Sequence, residues 1–156
     1  MTYPIRLRSS ALIIEHDAVL LIEFNDENGV HYNLPGGGVE AGESIIQAVK
    51  REVLEEASVK VETQQVAFIY EYAPHLTQGR YGPVHSLTTI LECTLQKGEV
   101  PQMPEKPDEN QTAVKWIRLD ELHQVVLYPN IREQIITYSK HRQTMGLLEE
   151  QDLAPY

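Results

Sequence analysis

Three glutamates and an arginine stand close together in the stretch Gly37 to Val59, GGVEAGESIIQAVKREVLEEASV. On a helix, at about 100° per residue, Glu52, Glu55 and Glu56 fall within roughly a third of the circumference. Arg51 lies beside them, and Ile46, Val49, Val53 and Ala57 fall on the neighbouring arc. The spacing therefore predicts an apolar face for packing and an acidic face that can leave the core. Carboxylates on adjacent turns repel unless a cation sits between them. Oxygen-rich clusters of this kind suit Mg²⁺ or Mn²⁺, which prefer hard ligands.

The elements that must hold these groups can be read from the flanks. Leu34-Pro35-Gly36-Gly37-Gly38 precedes the helix; Pro35 pushes the residue before it toward extended geometry, and the glycines allow angles that other residues resist. Ser44 and Gln47 have capping-box spacing, so the helix is expected from near Ser44 to about Ala57. Ser58 is a poorer stop than glycine, which leaves the exit of the helix open. Residues 6–15 and 19–24 read as strands joined at His16-Asp17-Ala18, with an extended segment over 30–34. Further strands are expected at 59–62, 65–73, 85–95 and 112–118. Residues 74–84 read as a loop or hairpin tip, and 96–111 as a long polar loop with three prolines, a length that is usually functional or mobile. A short helix begins at Asp120-Glu121-Leu122, a longer one covers 130–142, and the final LLEEQDLAPY reads as a frayed or partner-docked tail.

The stretch 37–59 resembles the Nudix box, G-x5-E-x7-R-E-U-x-E-E-x-G-U with U aliphatic, supplied here by Gly37, Glu43, Arg51, Glu52, Val53, Glu55, Glu56 and Val59. Ser58 departs from it, standing where the family has glycine. Leu34-Pro35-Gly36 fits the usual approach to the box, and TAVKWIRLDEL resembles the family's closing strand and helix start. The resemblance implies an α/β Nudix fold, a mixed β-sheet sandwiched between α-helices, with residues 1–156 as one domain.

It also implies an activity. A Mg²⁺- or Mn²⁺-dependent Nudix hydrolase cuts a diphosphate bond in a nucleoside diphosphate linked to another moiety, such as a nucleoside triphosphate or ADP-ribose. Such a site must hold divalent ions, neutralise phosphate oxygens and activate water. By resemblance, Glu52, Glu55, Glu56 and the carbonyl of Gly36 hold metal, with Glu52 alternatively positioning a water. Arg51 orients the glutamates, a task that suits a guanidinium fork, and Glu43 buttresses Arg51. Many relatives draw a further acid from outside the box. Glu105, Asp108 and Glu109 are the candidates, and Glu109 is the choice, completing a catalytic set of Glu52, Arg51, Glu43 and Glu109. Glu40 reads equally well as a solvated loop residue. Arg6, Arg8 and Arg80, with Tyr70, Tyr72, Tyr81 and His75, could meet phosphate or stack on a base, and no spacing rule selects among them. Pro74 falls close to where a proline marks ADP-ribose hydrolases of the family, without matching the position cleanly.

Other readings fit less well. Gly36, Gly38 and Ala41 can be forced into a dinucleotide-binding fingerprint, but Glu40 and Glu43 would repel a pyrophosphate there, and the repeated βαβ pattern is absent. A non-catalytic nucleotide sensor would be expected to have lost box carboxylates, and this chain keeps them all. An isoprenoid diphosphate isomerase would need a cysteine or acid in a context that Cys93 lacks.

Composition sets the remaining limits. A length of 156 residues is that of one domain with a full core. The single Cys93 precludes an internal disulfide and suits a reducing, cytoplasmic location. No apolar run reaches membrane-span length, and the N-terminal apolar stretch ends at Glu15-His16-Asp17 without a small-residue cleavage site, so no signal peptide is read. With 13 Lys and Arg against 23 Asp and Glu, the net charge of −10 argues against nucleic acid as a partner and leaves a small nucleotide substrate open. Homodimers are common in the family, and the resemblance admits one here.

Overall fold

The computed structural model describes residues 4–155. Strand β1 (Arg6–Leu12) is followed by β2 (Ile14–Glu15), β3 (Ala18–Asp26), β4 (Gly29–Asn33) and the glycine strand β5 (Gly36–Gly38). Helix α1 (Ile45–Ala57) comes next, then β6 (Val61–Tyr72), β7 (Ser86–Leu95), β8 (Gln111–Arg118), α2 (Arg132–His141) and β9 (Leu147–Glu149). One sheet is mixed, in the order β5-β1-β7-β6-β9, with β1 parallel to β7 and β9 parallel to β6. The other is antiparallel and centres on β3, which pairs with β2, β4 and β8.

Successive side chains of a strand point to opposite faces, and here both faces are covered. Ala11, Ile13, Leu20 and Ile22 pack with Val49, Val53 and Ala57 of α1. Leu12, Val19 and Leu21 pack on the other side with Ile131, and with Ile135 and Tyr138 of α2. The expected α/β sandwich of sheet between helices is thus present, with the sheet layer divided in two.

Helix α1 begins as its sequence predicts. Ser44 Oγ accepts from Gln47 N–H at 3.1 Å, and Ser44 N–H donates to Gln47 Oε1 at 2.8 Å. Its exit is resolved at Ser58, which takes the left-handed geometry itself (φ 57°) and donates its N–H to Leu54 O. The turn between β2 and β3 is made by His16 and Asp17, both at positive φ, and it starts a hairpin.

Three expectations are corrected. Residues 6–15 are not one strand: Ile13 separates β1 from β2. Segments 59–62 and 65–73 are not two strands but parts of one, β6, whose pairing with β7 shifts register between Thr63 and Phe68. Bulges of that kind interrupt the two-residue period without ending the strand. The tail is docked on its own chain. Leu147–Glu149 adds a parallel strand to β6, Met145 N–H donates to Ala67 O, and Glu150 is buried. No helix among the described residues is long and apolar enough to cross a membrane.

Candidate active site

The pairing of β5 with β1 decides which groups the glycines offer to α1. Val39 N–H donates to Leu7 O and Ala11 N–H donates to Pro35 O. Antiparallel pairs alternate between bonded and non-bonded positions, so Gly36 and Gly38 turn their peptide groups away from β1. The N–H of Gly36 donates to Glu56 Oε1 at 3.1 Å, and the carbonyl of Gly38 accepts from Arg51 Nη2 at 3.0 Å. An N–H and a C=O of one strand residue point to the same side, so the Gly36 carbonyl also faces the helix.

Arg51 ties the acids together. It donates to both oxygens of Glu43, from Nη2 at 2.7 Å and Nε at 3.1 Å. From Nη1 it reaches Glu52 at 2.9 Å and Glu55 at 3.2 Å. The hydrogen bonds to Glu43 lead in raising the pKa of Arg51 above its ordinary value, and those from Arg51 lead in lowering that of Glu43. Glu43 also accepts from Glu40 N–H at 2.8 Å, which fixes the turn ahead of the helix.

Glu56 is buried, at 3% exposure. Burial, opposed by the Gly36 N–H and reinforced by the charges of Glu52 and Asp108, pushes its pKa up to about 8. Glu52 lies against Gly37, where any Cβ would collide with its carboxylate. Two abutting carboxylates, one of them buried, form a charge arrangement that a divalent cation relieves, and their oxygens are hard donors. The donor set therefore fits Mg²⁺ or Mn²⁺. It is not a preformed cage: among the described residues no three His, Cys, Asp or Glu side chains converge as a metal centre, and Glu55 is turned toward Arg51.

Glu56 and Gly36 line a cavity of about 570 Å³. Its floor is one face of the mixed sheet. Arg6 pairs with Ser86 and Ser86 with Tyr72; Arg8 pairs with Thr88 and Thr88 with Tyr70; Ser10 pairs with Ile90. All eight of these side chains line the cavity, as the two-residue period requires of positions 6, 8 and 10. Phe24, Tyr81 and Tyr128 form walls, and the rings of Tyr81 and Tyr128 meet at 5.6 Å.

Comparison with known proteins decides the family. The family model for the NUDIX domain matches residues 5–138. The chain belongs to the Nudix hydrolase family. It is 37% identical over 79 residues, 46% of its length, to a human protein, the 8-oxo-dGDP phosphatase NUDT18. It is 32% identical over 111 residues, 70% of its length, to the NAD-capped RNA hydrolase NudC of Salmonella agona. The chain spans 24% of the first relative and 38% of the second. Among solved structures it is similar to an ADP-ribose pyrophosphatase from Streptococcus suis, with a TM-score of 0.66 and 26% identity, covering 92% of this chain and 98% of that one.

Within this Nudix domain Gly36 and the box residues Glu43, Arg51, Glu52, Glu55 and Glu56 are brought together, and the other residues outside the box are sorted. Arg6, Arg8, Tyr70, Tyr72 and Tyr81 line the cavity. Arg80 does not; it lines a separate depression and lies 3.7 Å from Glu150. His75 and Pro74 belong to a short 3₁₀ turn away from the cavity lining. All three loop acids are exposed, and of them Asp108 lines the cavity while Glu105 and Glu109 do not. The physical reason is Gln111. Its Nε2 donates to the Glu56 carbonyl at 2.8 Å, while its Oε1 accepts from Asp108 N–H at 3.2 Å. The backbone of Asp108 is thereby tied to the helix, and Glu109 follows it in the turn that Asn110 closes at positive φ. Gln111, Phe24 and Tyr128 escape a reading of the sequence. No motif marks them, and only their tertiary positions join them to the site.

Proposed function

We propose that this chain hydrolyses a phosphoanhydride bond in a nucleoside diphosphate linked to another moiety, such as a nucleoside triphosphate or ADP-ribose, with Mg²⁺ or Mn²⁺ as cofactor. One observation carries the reading: the buried Glu56, beside Glu52 and bonded to Gly36, opens onto a cavity whose floor is cationic. Acids at one end and arginines along the floor are what a metal-bound diphosphate requires.

In this reading Glu52, Glu55, Glu56 and the Gly36 carbonyl hold the ion. When bound, it neutralises charge on the phosphate oxygens and lowers the pKa of a coordinated water. Arg51 and Glu43 keep the Glu52 carboxylate oriented, as outer partners of metal ligands do. In this reading the loop-acid role expected of Glu109 passes to Asp108, and the support is that Asp108 lines the cavity whereas Glu109 does not. The aromatic walls would hold the nucleobase by stacking. The relatives' names point to three different substrates, an oxidised nucleoside diphosphate, an NAD-capped RNA and ADP-ribose, so they support the reaction class and leave the substrate open. A cytoplasmic location belongs to the same reading and is supported by the buried, unpaired Cys93; a homodimer belongs to it as a family habit.

The test is hydrolysis of a panel (nucleoside di- and triphosphates, oxidised ones included, ADP-ribose, nucleotide sugars and dinucleoside polyphosphates) with Mg²⁺ and with Mn²⁺, beside Glu56→Gln. Metal-dependent turnover of one class that is lost in the variant supports the reading. Tight nucleotide binding with no turnover of any member would overturn it in favour of a sensor.

A further inference from the structure

The sequence contains seven arginines, and the structure gives five of them partners. Arg51, Arg80, Arg118 and Arg142 pair with carboxylates. Arg132 donates to Asn130 and to the His123 carbonyl. Arg6 and Arg8 differ: neither guanidinium makes an ion pair or a side-chain hydrogen bond with another described residue. Acids are not in short supply, since the chain has 23 of them against 13 bases. Nor are the two arginines scattered. They stand two positions apart on β1, hence on one face, and both line the cavity.

Their surroundings are built for an anion. Ser86 and Thr88, their direct neighbours on β7, add hydroxyl donors to the same floor. Gly38 leaves room for the Arg6 head group, because a Cβ there would lie 2.6 Å from Arg6 Nη2. Burial and the like charge of Arg6 pull the pKa of Arg8 below its ordinary value, while Glu52 and Glu56 attract it across the cavity. Two guanidinium groups held side by side with no carboxylate in ion-pair contact repel each other, a cost that a bound anion offsets.

Charge identifies the anion. A diphosphate capped at both ends carries about one charge per phosphorus, and a divalent ion at the acidic end offsets these. A phosphate that ends the chain carries about 1.5 to 2 charges near neutral pH, which matches two fixed cations. We infer that Arg6 and Arg8 form a binding site for a terminal phosphate group, and that the site favours nucleotides whose phosphate chain ends free over those capped by a sugar. The inference rests on the hydrolase reading above for the placement of the scissile bond, but not for the binding itself.

Calorimetric titration tests it without turnover. The probes are α,β-methylene-ADP, whose chain ends free, ADP-ribose, whose chain is capped, and inorganic phosphate alone, each titrated in EDTA into the wild type, Arg6→Gln and Arg8→Gln. The expected result is a rise in Kd of tenfold or more for α,β-methylene-ADP in either variant, with less than a twofold change for ADP-ribose. Equal losses for both nucleotides, or none, would overturn the inference, as would inorganic phosphate binding as tightly as the nucleotide. Arg6 is exposed, so Arg6→Gln is expected to keep the wild-type melting temperature and to decide the matter if Arg8→Gln does not fold. Arginine-dependent binding without hydrolysis of any diphosphate would leave this inference standing and sink the hydrolase reading. Hydrolysis with unchanged Kd values would do the reverse.

Discussion

Gly37 lies so close beneath Glu52 that the carboxylate occupies the space a Cβ would fill. The glycine of the box thus leaves its space to the Glu52 carboxylate, and the two residues form one unit. Gly37→Ala should push Glu52 off the backbone and away from Glu56. Turnover should fall about 10- to 100-fold, the usual effect of disturbing a metal ligand's support. The same variant should need more Mg²⁺ for half-maximal rate. An unchanged Mg²⁺ titration would show that Glu52 is not at the metal.

Glu56 makes the stability of the metal-free protein depend on pH. Its folded-state pKa of about 8 lies above that of an ordinary carboxylate, first because it is buried. Between about pH 4.5 and 8 the folded chain therefore holds a proton that the unfolded chain has released. Stability is fullest below that window and falls as pH rises through it. In EDTA the melting temperature should drop from pH 5 to pH 8, and Glu56→Gln should flatten that slope while abolishing hydrolysis. Added Mg²⁺ should raise the melting temperature of the wild type at pH 8, and of the variant much less.

Arg51→Lys tests geometry at constant charge. Lysine has one point of attachment, whereas Arg51 reaches Glu43, Glu52, Glu55 and the Gly38 carbonyl at once. A rate loss of about 10- to 100-fold is expected, with a melting temperature close to that of the wild type. Full activity would mean that charge alone orders the acids.

Ser58→Gly should stabilise the fold. Ser58 has φ of 57°, a left-handed conformation that costs a side-chain-bearing residue about 1 kcal/mol and glycine little. Chemical denaturation should show a gain of about that size with hydrolysis unchanged.

The bounds of helix α1 and its Val49, Val53 and Ala57 face are legible in the sequence, because capping box and pattern lie within one continuous stretch, but Ile46, expected on that face, is exposed and Glu56, expected outside the core, is buried. Arg51, Glu52, Glu55 and Glu56 are legible in the same way, their spacing fixing them on one helix, while Glu43 joins them from the turn ahead of it. The strands bordering loops are less so. Bulges in β6 break the two-residue period from which strands are read, and β9 is too short to carry a pattern of its own. The choice between Asp108 and Glu109 cannot be made from sequence, since the two are neighbours in one polar run and only the two bonds of Gln111 distinguish them. Arg6 and Arg8 are visible in the sequence as cations alongside Arg80, but their separation from it depends on which strand lies next to β1.

The docking of the last strand reaches the cavity by way of a single tyrosine. Tyr70 lines the floor and donates its hydroxyl at 2.8 Å to Glu150, which is itself buried beyond β9. One side of the cavity is thus braced by the segment behind β9. Proteolytic trimming behind α2, or a rigid fusion that peels β9 from β6, would slacken that wall without touching any residue of the box, and a preparation that had lost its tail would differ in substrate affinity before it differed in chemistry.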